Sequence, residues 1–131
     1  MDLENDSNTH QKMPEWEWLL CTAKLEVDNL IAALPEELRL PAERLPIYFD
    51  HKPDHKQHSD IEPDTLGLFV GHPLAETHLA HGQPAAHIIL FLENIWFGEV
   101  EEYQEEVRVT YYHELGHYLG LEEDELEDRG L

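Results

Sequence analysis

The strongest structural signal in this sequence is a helical pattern close to its C-terminal end. Apolar residues recur at steps of three and four, and these are Tyr103, Val107, Tyr111, Leu115 and Tyr118. This spacing predicts one apolar face of a helix that begins near Val100. Gly120 stands where a glycine commonly ends a helix by adopting the left-handed conformation. The pattern therefore predicts a helix packed along one face, followed by a reversal of the chain.

The polar side of this predicted helix carries side chains that can bind a metal ion. His113 and His117 are four residues apart, so on a helix they lie on the same face and both imidazoles can reach one ion. Glu114 is turned about 100° from His113, beside the ion, where its carboxylate can hold and deprotonate a metal-bound water. Both histidines are turned about 100–140° from the apolar face. The histidines are therefore predicted to face a cleft rather than the core. Their pattern, HExxH, is typical of zinc hydrolases.

The residues after Gly120 are acidic and offer a further ligand. A catalytic zinc ion normally has three protein ligands and leaves the fourth position to water. Glu123 follows His117 by six residues, and a carboxylate just past the end of the helix can reach the ion. The alternative is structural, because the same acidic residues can cap a last short helix over residues 123–128.

Length and charge restrict the fold and the partners. With 131 residues the chain is long enough for one domain. Its net charge of −21 would repel phosphates, so nucleic acid and anionic membranes are not expected partners. The single cysteine, Cys21, excludes an intramolecular disulfide and is expected to be partly buried on the first helix. Neither an apolar leader nor a membrane span is visible, so the expected compartment is the cytoplasm.

The remaining elements predict an α+β domain. Residues 1–13 are polar and acidic and are predicted to form a disordered tail. An amphipathic helix is predicted from Pro14 to Leu34, and a helical turn at residues 36–39. Strands are predicted at residues 45–49, 66–71 and 86–92, of which the last is the most apolar. Together these elements predict a small mixed sheet packed against the N-terminal helix and the histidine-bearing helix.

Seven further histidines lie between residues 51 and 87, and His10 lies in the tail. His51, His55 and His58 fall in a segment rich in Pro, Lys and Asp, which predicts a mobile solvated loop rather than a second metal site. The others in this region are expected to be surface or half-buried side chains, namely His72, His78, His81 and His87.

Several segments together resemble the zincin-like metallopeptidases with a minimal matrix-metalloprotease-like domain, a family of small bacterial proteins. The resemblance covers the chain from about residue 14, and the segments that carry it are LGLFVGHPL at 66–74, IILFL at 88–92, HELGHYLGLEE at 113–123 and DRGL at 128–131. The family usually has Asp at the third ligand position, where this chain has Glu123 followed by Asp124. Both carboxylates are therefore candidates. No methionine follows the motif, so the resemblance is to the minimal form without a Met-turn.

The resemblance implies a single minimal zincin-like metallopeptidase domain over residues 14–131. It implies one Zn²⁺ per chain, with His113, His117 and Glu123 as ligands and Glu114 as the general base. The implied substrate is a peptide or protein that lies extended along a sheet edge, for which residues 86–92 are the candidate strand. The sequence indicates no oligomeric state.

Two other functions are compatible with the metal motif. The first is a metal-binding domain without catalytic activity, although a purely structural site has no need of Glu114. The second is another metal hydrolase, such as the bacterial metalloribonucleases with the pattern HxxxHxxxxxH. Against this second alternative, those enzymes usually have glycine at the position of Glu114, and a charge of −21 is ill suited to RNA.

Overall fold

Along the described part of the chain, helices precede and follow three short strands. The structure is a computed structural model that describes residues 12–56, 59–79, 82 and 85–128, without the side chains of residues 77–79 and 123. The elements are α1 (Trp16–Ala32), α2 (Glu36–Arg44), β1 (Ile47–Asp50), β2 (Gly67–Val70), a 3₁₀ helix (Leu74–Leu79), β3 (His87–Phe91), α3 (Leu92–Ile95), α4 (Val100–Leu119) and α5 (Glu123–Asp128). This mixed architecture confirms the predicted α+β class. The predicted tail, residues 1–13, falls almost wholly outside the described residues.

The three strands form one mixed sheet with β3 in the middle. The strand order is β1-β3-β2, with β1 parallel and β2 antiparallel to β3. The prediction that residues 86–92 form the free edge is therefore wrong. The physical reason is visible in the composition, because a strand that is apolar on successive residues is suited to a position between two neighbours and under a helix. The edge nearest to the histidine-bearing helix is β2.

Helix α4 covers the sheet and is buried along the face that the sequence predicts. It contacts β2, β3 and α1. Four of the five residues of the predicted stripe have no exposed surface, and Tyr118 is 8% exposed. The hydroxyl of Tyr103 donates a hydrogen bond of 2.7 Å to the carbonyl of Leu19 in α1. This contact fixes α4 against α1 while the other end of α4 lies over the edge of the sheet.

The first two helices differ from the predictions in detail. Cys21 is exposed, not partly buried, because α1 turns the positions of Leu19, Ala23 and Val27 into the core and leaves Cys21 on the opposite side. Helix α2 is longer than the predicted turn and buries Leu38 and Ala42. None of the helices within the described ranges combines the length and the hydropathy that a membrane crossing requires.

Two buried tyrosines of α4 provide a matched test of this packing. Burial raises the pKa of both Tyr103 and Tyr111, but only Tyr103 has its hydroxyl bonded, whereas the Tyr111 hydroxyl has no partner among the described residues. We expect Tyr103→Phe to lower the free energy of unfolding by about 1 kcal/mol, and Tyr111→Phe to leave it unchanged or raise it, because an unpaired buried hydroxyl is costly. Chemical denaturation of both variants measures this difference, and an equal loss in both would contradict the assignment.

Candidate metal centre

The two histidines of the HExxH motif converge on one point above the last turns of α4. Their Nε2 atoms are 3.2 Å apart and their ring centroids 4.7 Å apart, with both side chains exposed. Two nitrogens bound at 2.0–2.1 Å to a tetrahedral zinc ion are about 3.3 Å apart. The spacing of the histidines therefore fits the two imidazole positions of a zinc site.

Glu114 lies on the inner side of the histidines and is almost fully enclosed. It is 8% exposed. Burial raises its pKa above the ordinary carboxyl value, while His113, His117 and the backbone N–H of Phe69, a hydrogen-bond donor, act in the opposite direction. A carboxylate with a raised pKa is a stronger base than an exposed one. The position and the environment therefore suit proton transfer at the site.

An open cleft connects this glutamate with the edge strand. The cleft has a volume of about 450 Å³ and is lined by Gly67, Leu68, Phe69, Gly71, Pro73, Glu114 and His117. Leu66, just before β2, accepts a hydrogen bond from the N–H of Phe91, and Leu68 and Val70 of β2 lie opposite Ile89 and His87. Because antiparallel ladders alternate, the backbone groups of Gly67 and Phe69 face away from β3. Among the described residues no strand pairs with this edge of β2, which forms one wall of the cleft, and its Phe69 N–H donates to Glu114.

The chain reverses immediately after α4 and returns toward the histidines. Gly120 has a φ of 74°, and the N–H groups of Gly120 and Leu121 both bond the carbonyl of Gly116. A Cβ on Gly116 would lie 3.1 Å from both the Leu121 carbonyl oxygen and Leu126 Cδ1. The return segment therefore packs closely on Gly116, a role that the sequence analysis missed. A small cavity of about 90 Å³ is lined by His113, His117, Leu121, Glu122 and Leu126.

The acidic run after the reversal caps α5, as the structural alternative predicted. Glu125 Oε1 accepts a hydrogen bond of 2.8 Å from the N–H of Glu122, which is the geometry of a capping box. Asp124 Oδ1 accepts a bond of 3.0 Å from the N–H of Glu125. The backbone of Glu123 begins α5, but its side chain lies outside the described residues, so its ligand role stays a prediction. No three described side chains form a group that could hold a metal ion.

The segment between β1 and β2, residues 51–66, holds His51 in contacts outside the HExxH motif. His51 Nδ1 is 2.7 Å from Glu93 Oε2, and its ring stacks on Trp16 at 3.8 Å. Asn94 donates to the carbonyls of Pro63 and Thr65. The prediction of a mobile loop is therefore wrong for the two ends of this segment, which are fixed to α3. His55 is exposed as predicted.

Two predicted surface histidines are seen in full and the others are not. His72 is half-buried next to the cleft, and His87 is half-buried with its ring 5.3 Å from that of Tyr48. His58, His81 and the side chain of His78 lie outside the described residues.

The comparison with protein families agrees with this geometry. The profile of the family described as zincin-like metallopeptidase matches residues 42–131. The matched region contains the three strands, α4 with its motif, and α5. No curated protein matches the chain. Because the match covers more than half of the sequence and includes the candidate metal centre, the chain belongs to the zincin-like metallopeptidase family.

Proposed function

We propose that this protein hydrolyses peptide bonds with one zinc ion, held by His113, His117 and Glu123, and with Glu114 as the general base. The observation that carries the proposal is the position of Glu114, which is buried and faces the same cleft as His117 and the edge of β2 that pairs with no described strand. A solvent-exposed structural metal site would not need this arrangement. Family membership favours a peptidase over the metalloribonuclease alternative.

The residues divide the chemistry between them. A zinc ion supplies a positive charge that polarises the scissile carbonyl and activates water. His113 and His117, as neutral imidazoles, are the nitrogen ligands that such an ion prefers. Glu114 takes a proton from the attacking water on its carboxylate oxygen and then passes it to the nitrogen of the leaving amine. Burial of Glu114 raises its pKa, which makes the acceptance of this proton easier.

The substrate is proposed to bind as an additional strand on β2. The backbone groups of Gly67 and the carbonyl of Phe69 face the cleft, and an extended peptide can pair with them in the way that other domains bind peptides at a sheet edge. Gly67 and Gly71, which have no side chains, line part of the cleft. Most of the binding would therefore come from the backbone of the substrate.

Removal and return of the metal test the proposal directly. The purified protein should contain about one zinc per chain by elemental analysis. A chelator should abolish its cleavage of a mixed library of unstructured peptides, and stoichiometric zinc should restore it. Zinc-free protein that retains full cleavage would refute the proposal.

The third ligand can be assigned with two neighbouring variants. Glu123→Ala should weaken zinc binding far more than Asp124→Ala, because Glu123 lies six residues after His117, whereas the carboxylate of Asp124 is engaged with the N–H of Glu125. Isothermal titration with zinc measures both affinities. A larger loss in Asp124→Ala would move the ligand by one residue, and no loss in either variant would leave only the capping role.

A further inference from the structure

We propose that Gly67 on β2 and Thr110 on α4 are positioning residues that set the location of Glu114 against the edge strand. This inference rests on the proposed function, because it concerns the base of that reaction. Neither residue would touch the reacting atoms. Their contact determines how closely the helix that carries the motif approaches the strand that would bind the substrate.

The contact between these residues leaves no room for a side chain on Gly67. A Cβ at this position would lie 2.6 Å from Thr110 Cγ2, 3.2 Å from Leu90 Cδ2 and 3.3 Å from Glu114 Cγ. The first of these distances is far below an ordinary van der Waals contact of about 3.5–4.0 Å between carbon atoms. Gly67 is not among the glycines with positive φ, so the requirement for glycine is steric and not conformational.

Thr110 and Glu114 form the face of α4 that meets this glycine. They are four residues apart, so they lie one above the other on the helix. Thr110 is 6% exposed and Glu114 is 8% exposed. The backbone N–H of Phe69, two residues along the strand, acts as a donor toward the Glu114 carboxylate. The base is therefore located by the surface of β2 as well as by its own helix.

The distance from Glu114 to β2 and the spacing of the two histidines are set by different parts of the structure. His113 and His117 lie on one helix, so their separation is set within α4. The distance from Glu114 to the backbone of β2 depends instead on the contact between the two elements. A side chain at position 67 would move the base relative to a substrate on β2 without changing the spacing of the histidines.

Four variants test this inference. Gly67→Ala introduces the clash, and Thr110→Ser removes the methyl group that it meets while keeping the hydroxyl. Gly67→Ala/Thr110→Ser should therefore relieve the clash. Gly67→Ala/Thr110→Val is the matched control, because valine keeps a methyl group at that position and loses the hydroxyl. The readouts are zinc affinity, kcat and KM on one library peptide that the parent protein cleaves, and the melting temperature of the metal-free protein.

We expect Gly67→Ala to lower kcat by about 10- to 100-fold, since a displacement of about 1 Å can cost that much. Zinc affinity should stay within about 3-fold of the parent, because His113 and His117 move together on α4 and the segment that carries Glu123 packs on α4 at Gly116. The melting temperature should fall by about 5–10 °C from overpacking. Adding Thr110→Ser to Gly67→Ala should restore most of kcat and of the melting temperature, whereas adding Thr110→Val should restore neither.

The outcomes separate this inference from the proposed function. If the parent protein cleaves peptides and Gly67→Ala cleaves them at the same rate, only the positioning role is overturned. Equal losses of zinc affinity and kcat also overturn it, because they would show a general disruption of the site. Failure of Thr110→Ser to restore the melting temperature overturns the contact itself, and this measurement needs no catalytic activity. Peptide cleavage by Glu114→Gln at the parent rate would instead refute the proposed function.

Discussion

Glu114→Gln should lower kcat for peptide hydrolysis by a factor of about 10²–10⁴, which is the usual contribution of general acid–base catalysis. Glutamine keeps the shape of the side chain and can still accept the hydrogen bond from the Phe69 N–H, but it cannot take a proton from water. Zinc content should stay at the parent level, because the proposed ligands are other residues. Steady-state cleavage of a library peptide, together with elemental analysis, measures both quantities.

A carboxylate close to the site but outside the cleft provides the control. Glu125→Gln makes the same chemical change and removes the same charge, and its side-chain oxygen can still accept the capping hydrogen bond from Glu122. It should retain activity within a few-fold of the parent. Equal cleavage by the parent and by Glu114→Gln would mean that Glu114 is not the base. Zinc binding without cleavage by either protein would favour the non-catalytic metal-binding domain.

Although Glu114→Gln should lower kcat, it should raise the free energy of unfolding of the metal-free protein. Burial raises the pKa of Glu114 in the folded state, so ionised Glu114 destabilises the fold at pH values above that pKa. Glu114→Gln should therefore be more stable than the parent at neutral pH. As the pH falls through the folded pKa toward the unfolded value, Glu114 becomes protonated in the folded protein and the difference should disappear. Chemical denaturation across this pH range measures the effect.

His117→Ala should weaken zinc binding by about 100-fold or more. Zinc binding contributes about 10–16 kcal/mol in small structural sites with four protein ligands, so each ligand there accounts for about 3 kcal/mol. The remaining histidine also loses the geometry in which the two Nε2 atoms are 3.2 Å apart. At a free zinc concentration 100 times the dissociation constant, the parent should gain about 2.7 kcal/mol of stability, and the variant should gain almost none.

His55→Ala is the matched control for this prediction. His55 is exposed and is not part of the HExxH motif, so its replacement should leave both zinc affinity and the zinc-dependent stabilisation unchanged. Calorimetric titration and thermal melts with and without zinc give both values for each protein. Zinc binding by His117→Ala with the affinity of the parent would refute the metal centre assigned here, whatever the catalytic result.

Local patterns predicted the elements that build the site. The three and four residue spacing of apolar side chains from Tyr103 to Tyr118 is a property of the helix itself, so the buried face of α4 could be read from the sequence. The i,i+4 relation of His113 and His117 is likewise fixed by helical geometry. Gly120 could be assigned as the end of the helix because few residues adopt a positive φ. In each case the information lies within a few residues of the chain.

Contacts between distant segments could not be predicted in this way. The order of the strands, with β3 central and β2 at the edge of the cleft, depends on pairing between residues far apart in the chain, and the apolar composition of β3 indicates burial without identifying its partners. The ends of the 51–66 segment are fixed by contacts with Glu93 and Asn94. The composition of a loop gives no information about such distant partners.

Local spacing was enough to predict the helix, the two histidines and the glutamate between them, because residues at fixed steps along one helix have a single relative geometry. The surroundings of Glu114 instead depend on how the chain packs. Its burial, its raised pKa and its closeness to Gly67 come from the packing of α4 against β2. Burial and electrostatic environment are set by atoms brought together from separate segments, so they exist only after the chain has folded.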